Sequence, residues 1–393
     1  MRIVFISNYF NHHQSSFSNE MYKLTKGDYF FVETVPFEKE RREMGWEEDK
    51  KPSYVIQSYK TKADFEYCKK LAYNADAVII GAADDKLIKE RLKRGKLVLR
   101  YSERKYKNKK NMLELPFRAV KYYFSNDRYR NLYMLCASAY AAADFAKTGS
   151  LIGRTYKWGY FPEIRKYDNI NCIIDKKLNN HIIWVARFID LKHPESAVNL
   201  ARHLRDEGYQ FTMDLIGNGD MYEDIQLMID KYGLNGYVKL KGTMTSHEVR
   251  NEMERAQIFI FTSDFNEGWG AVLNEAMNSG CCAVASHAVG AAPFLIQDGK
   301  NGMIYQNGDD EDLYIKVKYL IDNPQIAKKI AKNAYLTIIN EWNAEQAASR
   351  LMVLIEKMLE GIRNPDIFDS GICSRSEVIK NNWYTDNRRK LCQ

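Results

Sequence analysis

From Gln257 to Leu295 the chain reads QIFIFTSDFNEGWGAVLNEAMNSGCCAVASHAVGAAPFL, a stretch compatible with few folds. Ile258 to Phe261 is a short apolar run of the length of a buried strand. Thr262 to Gly270 cannot continue it, being polar, acidic and broken by Gly268 and Gly270. Ala271 to Met277 has helical character, with Gly280 placed where a C-terminal cap belongs. Cys281 to Ser286 supplies the next strand, and Gly290 opens another strand-to-helix turn. This is one βαβ unit, and such a unit belongs to a parallel sheet.

Two carboxylates stand in the unit, Glu267 on the turn and Glu275 about one and a half turns into the helix. A helix N-terminus favours an anion through its free N–H groups and its dipole. Gly268 and Gly270 leave that backbone open to a phosphate, with Glu267 placed to hold hydroxyls on one side and Glu275 on the other. Phosphate between two polyols describes a nucleotide sugar. The same spacing also suits acidic residues that do no more than offset the helix dipole.

The segments EGWGAVLNEAMNSGCCAVAS and VGAAPFLIQDGKNGMIY resemble the signature of glycosyltransferase family 4, whose members are retaining enzymes of the GT-B fold. Asp298, Gly299 and Gly302 match its D-G-x-x-G segment, and the similarity runs from about His181 to Leu359. The resemblance implies an α/β protein with two Rossmann-like, doubly wound parallel-sheet domains facing across a cleft. A C-terminal helix would cross back to the first domain. The reaction implied is sugar transfer from a UDP- or GDP-sugar to a hydroxyl acceptor such as a glycan or lipid-linked glycan, in surface polysaccharide synthesis.

It also implies roles for single residues. Arg187 and Lys192 in ARFIDLKHPE resemble the R-x4-K clamp on the diphosphate, although His193 stands where glycine is common. Gly217 and Met244 would border the nucleotide, and Glu267 would hold donor-sugar hydroxyls. Backbone N–H groups near Gly268, Trp269 and Gly270 would face sugar and phosphate, and Glu275 would hold the ribose. Trp269 is equally suited to stacking or packing. The first half matches less well: the loop SNYFNHHQSS lacks the glycines many members carry, which leaves Asn11, His12 and His13 as polar contacts. Glu103 or Arg104, just after the strand KLVLR, would orient the acceptor. No Asp-x-Asp metal motif occurs where one would be needed, and no cofactor is implied beyond the donor. Two rivals remain, a nucleotide-sugar epimerase on the same fold and a non-catalytic binding protein. The presence of Arg187, Lys192, Glu267 and Glu275 speaks against the second.

At 393 residues, 45% hydrophobic and 28% charged, the chain suits two soluble domains. Alternating strands and helices divide it into an acceptor-binding domain (1–165), a linker (166–180), a nucleotide-sugar domain (181–343), a crossover helix (344–362) and a tail (363–393). No uncharged apolar run reaches bilayer length, and the N-terminus reads as a strand rather than a signal peptide, so a cytoplasmic location is expected. Seven scattered cysteines with no C-x-x-C indicate neither a disulfide framework nor a zinc site. The net charge of +7 concentrates in 86–130, where basic residues interleave with aromatics. That pattern suits an anionic membrane surface at the inner face of the plasma membrane, an anionic substrate or an ordinary solvated face. Nothing resembles a nucleic-acid-binding module.

Overall fold

The structure, a computed structural model, describes residues 1–37, 51–107 and 114–386. The charge-dense stretch 38–50, Lys109 and Lys110 of the basic run, and Arg388 to Lys390 of the tail lie outside the described residues. The chain forms two compact units, Met1–Glu163 with Trp342–Lys380, and Ile164–Glu341 with Asn381–Gln393.

The first unit is built on a parallel sheet of β1 (Ile3–Ser7), β2 (Tyr29–Glu33), β3 (Val55–Gln57), β4 (Ala77–Ile80), β5 (Val98–Ser102), β6 (Leu132–Cys136) and β7 (Thr155–Lys157), in the order β3-β2-β1-β4-β5-β6-β7. Every residue of β1, β4 and β6 is buried, as strands covered on both faces require. The helix Ala344–Leu359 packs against His12–Leu24 of this unit, burying Ala347, Ala348, Leu351, Leu354 and Ile355. Beyond it, the 373–376 backbone pairs antiparallel with β7, through Cys373 N–H to Lys157 O and Ser376 N–H to Thr155 O.

The second unit holds β8 (His181–Val185), β9 (Thr212–Ile216), β10 (Val238–Gly242), β11 (Ile258–Phe261), β12 (Cys282–Ser286) and β13 (Met303–Tyr305), ordered β10-β9-β8-β11-β12-β13. The expected cap of the central helix is present: Gly280 takes φ +67°, donates to Met277 O, and Cys281 N–H returns to Ala276 O. Thr245 and Glu248 close the capping box before Ser246–Arg255.

Two segments hold local structure that the sequence reading did not anticipate, and two strands were not read at all. The segment expected as a linker carries the helix Ile170–Asp175, whose Ile170 and Ile174 are buried in the second unit's core. Its polar composition hides two apolar residues four apart, enough to dock one helical turn. The histidines expected on a loop lie in the first turn of His12–Leu24, because Asn11 caps that helix by accepting His13 N–H at 3.0 Å. Strands β3 and β13, three residues each, were too short to stand out by alternation.

Arg91 fixes the amino edge of the first sheet. Its guanidinium is 1% exposed and donates to the carbonyls of Ala72, Ala75, Asp76 and Leu97 at 2.6–2.9 Å. Burial pushes its pKa down to about 10, which leaves it charged at neutral pH. Replacing Arg91 with Leu strands these acceptors, and the first unit should lose about 3 kcal/mol, read from its denaturation midpoint. A midpoint like the wild type's would show that water satisfies the carbonyls.

Candidate active site

In the second unit the connections run from β8 out to β9 and β10, then return to place β11 on the other flank of β8. The loops leaving β8 and β11 therefore diverge at the carboxyl edge, where open α/β sheets bind ligands. Arg187 and Lys192 lie on the first loop and Glu267 on the second.

The β8 loop is held from both sides. On one flank Phe188 N–H donates to Asn218 O at 2.9 Å and Met221 N–H to Phe188 O at 3.0 Å. A Cβ on Gly217, at φ +134°, would overlap the Ala186 carbonyl, and one on Gly219, at φ +155°, would meet the Phe188 carbonyl at 2.5 Å. Gly217 thus permits backbone-on-backbone contact beneath Arg187. On the other flank Thr262 Oγ1 accepts Trp184 Nε1–H at 2.8 Å and donates to Lys192 O at 2.6 Å. Asp264 N–H donates to Leu191 O at 3.0 Å.

These anchors bring Lys192 and Glu267 into an ion pair, with side chains 14% and 13% exposed. The Lys192 ammonium also lies 5.5 Å from the Phe261 ring centre. Gly270, at φ +89°, makes room for that ring, since a Cβ there would come within 2.6 Å of it. Arg187 is exposed and has no ion partner among the described residues. Glu275 is half-buried in Val272–Asn278; burial raises its carboxyl pKa, opposed by the charge of Arg250.

His193 occupies its position in the left-handed region, at φ +49° and ψ +57°. Its Nδ1 lies 2.7 Å from Glu195 Oε1 and its Nε2 3.6 Å from Asp264 Oδ2. Hydrogen bonding to Asp264 and Glu195 raises the imidazole to about 10. Burial alone would raise the Asp264 carboxyl, yet His193 and the Asn266 N–H hold it below its ordinary value. An imidazolium thus ties the Lys192 loop to the Glu267 turn where a glycine would only have relaxed the backbone.

Trp269 is packing: it is fully buried and donates Nε1–H to Asn274 Oδ1 at 2.9 Å, so its ring has no open face. Met244 is half-buried on the loop after β10, whose Gly242 O accepts Gly217 N–H. Gly268 is buried beside Glu267 in the turn. Asp298 and Gly302 pair across the turn before β13, with Asp298 Oδ1 accepting Ile304 N–H.

Sequence reading missed a support behind this turn. Phe265 packs edge-on against His287 at 5.3 Å, and His287 stacks on Tyr384 at 5.4 Å. Tyr384 donates to Ile304 O, and His287 Nε2 lies 3.1 Å from Asn381 O. These residues are too far apart in the chain for spacing to relate them.

In the first unit the switch point lies between β1 and β4, and there a pocket of about 340 Å³ opens at the carboxyl edge. Asn8, Asn11, Gln14, Glu103, Lys107 and Tyr160 contribute polar groups to it. Glu103 accepts from Tyr160 OH at 2.6 Å and Lys107 Nζ at 3.3 Å. His13 stacks on Tyr160 with centres 5.6 Å apart and planes within 9°. Burial raises the pKa of the Tyr160 hydroxyl well above its ordinary value. The structure thus joins His13 and Glu103 through Tyr160, while His12 adjoins His13 at 3.9 Å. Arg104 also lines this pocket, buried, with its guanidinium 3.3 Å from Asp144 and over the Tyr140 ring.

Two open parallel sheets with switch-point sites define the GT-B architecture. Residues 173–337 match the family described as Glycosyl transferases group 1, so the second unit carries a domain of that group. The amylovoran biosynthesis glycosyltransferase AmsK of Erwinia amylovora is 27% identical over 45% of this chain and 44% of its own length. The poly(ribitol-phosphate) alpha-N-acetylglucosaminyltransferase of Staphylococcus aureus is 25% identical over 46% of this chain and 35% of its own. The chain thus spans less than half the length of these curated relatives. HepE of Anabaena, solved with UDP, superposes over 92% of this chain and all of its own, with a TM-score of 0.67 at 15% identity. At that identity the likeness establishes the fold.

Two outcomes test this geometry. Gly217→Ala should destabilise the second unit by about 3 kcal/mol, because the overlap is with backbone and no rotamer relieves it. A melting temperature equal to wild type would refute the close contact. For His193 the folded pKa is raised, so its ion pairs stabilise fully below about pH 6.5 and fade as pH rises through about 10. Paired melting curves should place His193→Gly within about 1 kcal/mol of wild type at pH 7 and above it at pH 10. A difference independent of pH would remove the ion-pair account.

Proposed function

We propose that the protein transfers a sugar from a nucleotide diphosphate sugar to a hydroxyl acceptor, with retention at the anomeric carbon. The observation that carries this reading is the Lys192–Glu267 pair beside the exposed Arg187, at the switch point of the group 1 domain. Arg187 and Lys192 offer two cations for a diphosphate, whose charge grows as the bond from its oxygen to the anomeric carbon breaks. The acceptor oxygen forms the new bond to that carbon, and its proton passes to the departing phosphate oxygen. Glu267 accepts hydrogen bonds from donor-sugar hydroxyls while its partner Lys192 orients it. Glu275 does the same for the ribose.

We assign the acceptor to the first unit's pocket, where Glu103, fixed by Tyr160 and Lys107, orients a hydroxyl, and where His13, with His12 against it, supports Tyr160 by stacking. UDP-sugars are the first donors to test, because HepE was solved with UDP. The relatives' part in amylovoran and poly(ribitol-phosphate) chemistry supports a place in surface polysaccharide or glycoconjugate synthesis, with a glycan or lipid-linked glycan as acceptor. On the epimerase reading, donor would be consumed without any acceptor.

Nucleoside diphosphate binding should raise the melting temperature by mass action. Lys192→Ala should weaken that binding at least about tenfold, the loss of one charged contact. Glu267→Ala should keep diphosphate binding and lose donor turnover by about a hundredfold or more. Full turnover in Glu267→Ala would sink the assignment, and turnover of donor without acceptor would establish the epimerase. With the Glu275 pKa raised, donor affinity should begin to fall with acid above the ordinary carboxylate value of 4.5, and Glu275→Gln should flatten that limb.

A further inference from the structure

The basic and aromatic run of the first unit resolves into one surface. Leu115–Tyr122 is a helix started by Pro116, and it continues as a wider turn over Tyr123–Asp127. Its inner side is tied down. Tyr122 packs on Phe145 at 5.2 Å, and Arg118 is held by Glu114 at 2.6 Å and lies over the Tyr106 ring. Its outer side carries Phe117, Val120, Tyr123 and Phe124, which are 81%, 59%, 57% and 56% exposed. Spacings of three, four and seven residues put them on one stripe. No residue of the helix is buried. Single exposed apolar side chains are ordinary, but four large ones within about two turns mark a surface with an occupant.

The charges around the stripe indicate what that occupant is. Lys121, Arg128 and Arg130 are exposed beside it, with no carboxylate partner among the described residues. The Arg128 guanidinium lies 6.0 Å from the Phe124 ring and 5.2 Å from Tyr129. The acidic residues nearby are already neutralised, Glu114 by Arg118 and Asp127 by Arg154 at 2.7 Å. The free charge is therefore positive, and it borders rings that favour the boundary between headgroup and acyl chain. A second copy docked symmetrically on the same stripe would set these cations against their own images. Among the described residues no helix is long and apolar enough to cross a bilayer, so contact through this stripe is peripheral.

We propose that this stripe docks the first unit on an anionic lipid surface, with Phe117, Val120 and Phe124 entering the boundary and Lys121, Arg128 and Arg130 meeting the headgroups. The inference rests on the helix itself, and its failure would leave the transfer reading intact. The test is co-sedimentation of the full chain with phosphatidylcholine vesicles, with and without phosphatidylglycerol. The wild type should sediment with the anionic vesicles about tenfold more strongly than with neutral ones, and lose most of that advantage at high salt. Phe117→Ser with Phe124→Ser should reduce anionic binding about tenfold or more. Lys121→Glu with Arg128→Glu should abolish the preference for anionic lipid. Both double variants should keep the wild-type melting temperature and its shift with UDP, which separates a docking loss from a folding or donor-site loss. No sedimentation of the wild type would overturn the proposal, as would undiminished binding by the Phe117 and Phe124 variant. So would a light-scattering dimer that this variant dissolves in the absence of vesicle binding.

Discussion

The second unit's site depends on how the backbone from Ala186 to His193 is held. A strand-exit loop in a parallel sheet has no ladder partner, so its carbonyls and N–H groups must be satisfied by neighbouring loops. Here the 217–221 turn supplies one side and the 262–264 segment the other, through hydrogen bonds of 2.6–3.0 Å. Only a chain without Cβ atoms at 217 and 219 can approach closely enough for the first set. The ion pair between Lys192 and Glu267 is then a consequence: two loops fixed by their backbones place one cation and one carboxylate within reach. Because the pair is largely buried, loss of either member leaves an uncompensated charge, which costs more than an exposed pair would.

What was legible in the sequence followed from local rules. Apolar runs such as AVII and LYMLC became fully buried parallel strands, and Gly280 and the Thr245 box ended and began helices where their chemistry requires it. Arg187, Lys192, Gly217, Glu267 and Gly270 were singled out by the resemblance of their spacing to the family's motifs, and they lie on the loops at the second sheet's carboxyl edge. What was not legible depended on partners distant in sequence. Whether Trp269 faces a ligand or the core turns on Asn274 and on the burial of its ring. The burial of Arg104 in the pocket wall depends on Asp144, forty positions on. The Phe265, His287 and Tyr384 stack joins three segments that carry no common pattern.

The C-terminal segment shows the same dependence on tertiary context. Between Asn364 and Lys380 its sequence has no period because it is neither helix nor independent strand. Ile372 and Cys373 are buried while 373–376 pairs along β7, an edge strand of only three residues that would otherwise expose unpaired groups. Arg375 extends this by lying over the Tyr156 ring at 5.2 Å. The following residues belong to the other unit, where Tyr384 donates to Ile304 O beside β13, again a three-residue edge strand. One irregular segment thus covers the weak edge of each sheet, and its order comes from those edges rather than from its own propensity.

The loop after β1 shows how a site can be held open without glycines. Tyr9 and Phe10 are both 1% exposed, with Tyr9 against Phe37 at 4.5 Å and Phe10 against Phe31 at 5.0 Å. Phe10 N–H donates to the buried Glu33, which Lys51 neutralises, and Asn11 caps the helix that follows. Glycines would let backbone approach a ligand at the cost of conformational freedom in the unfolded chain. Two aromatic anchors do the opposite: they fix the loop and turn recognition over to side chains. On the transfer reading, selectivity in the first unit then resides in the polar groups of Asn11 and Gln14 and in Glu103, Lys107 and Tyr160, whose positions are set by stacking and hydrogen bonds rather than by an open backbone.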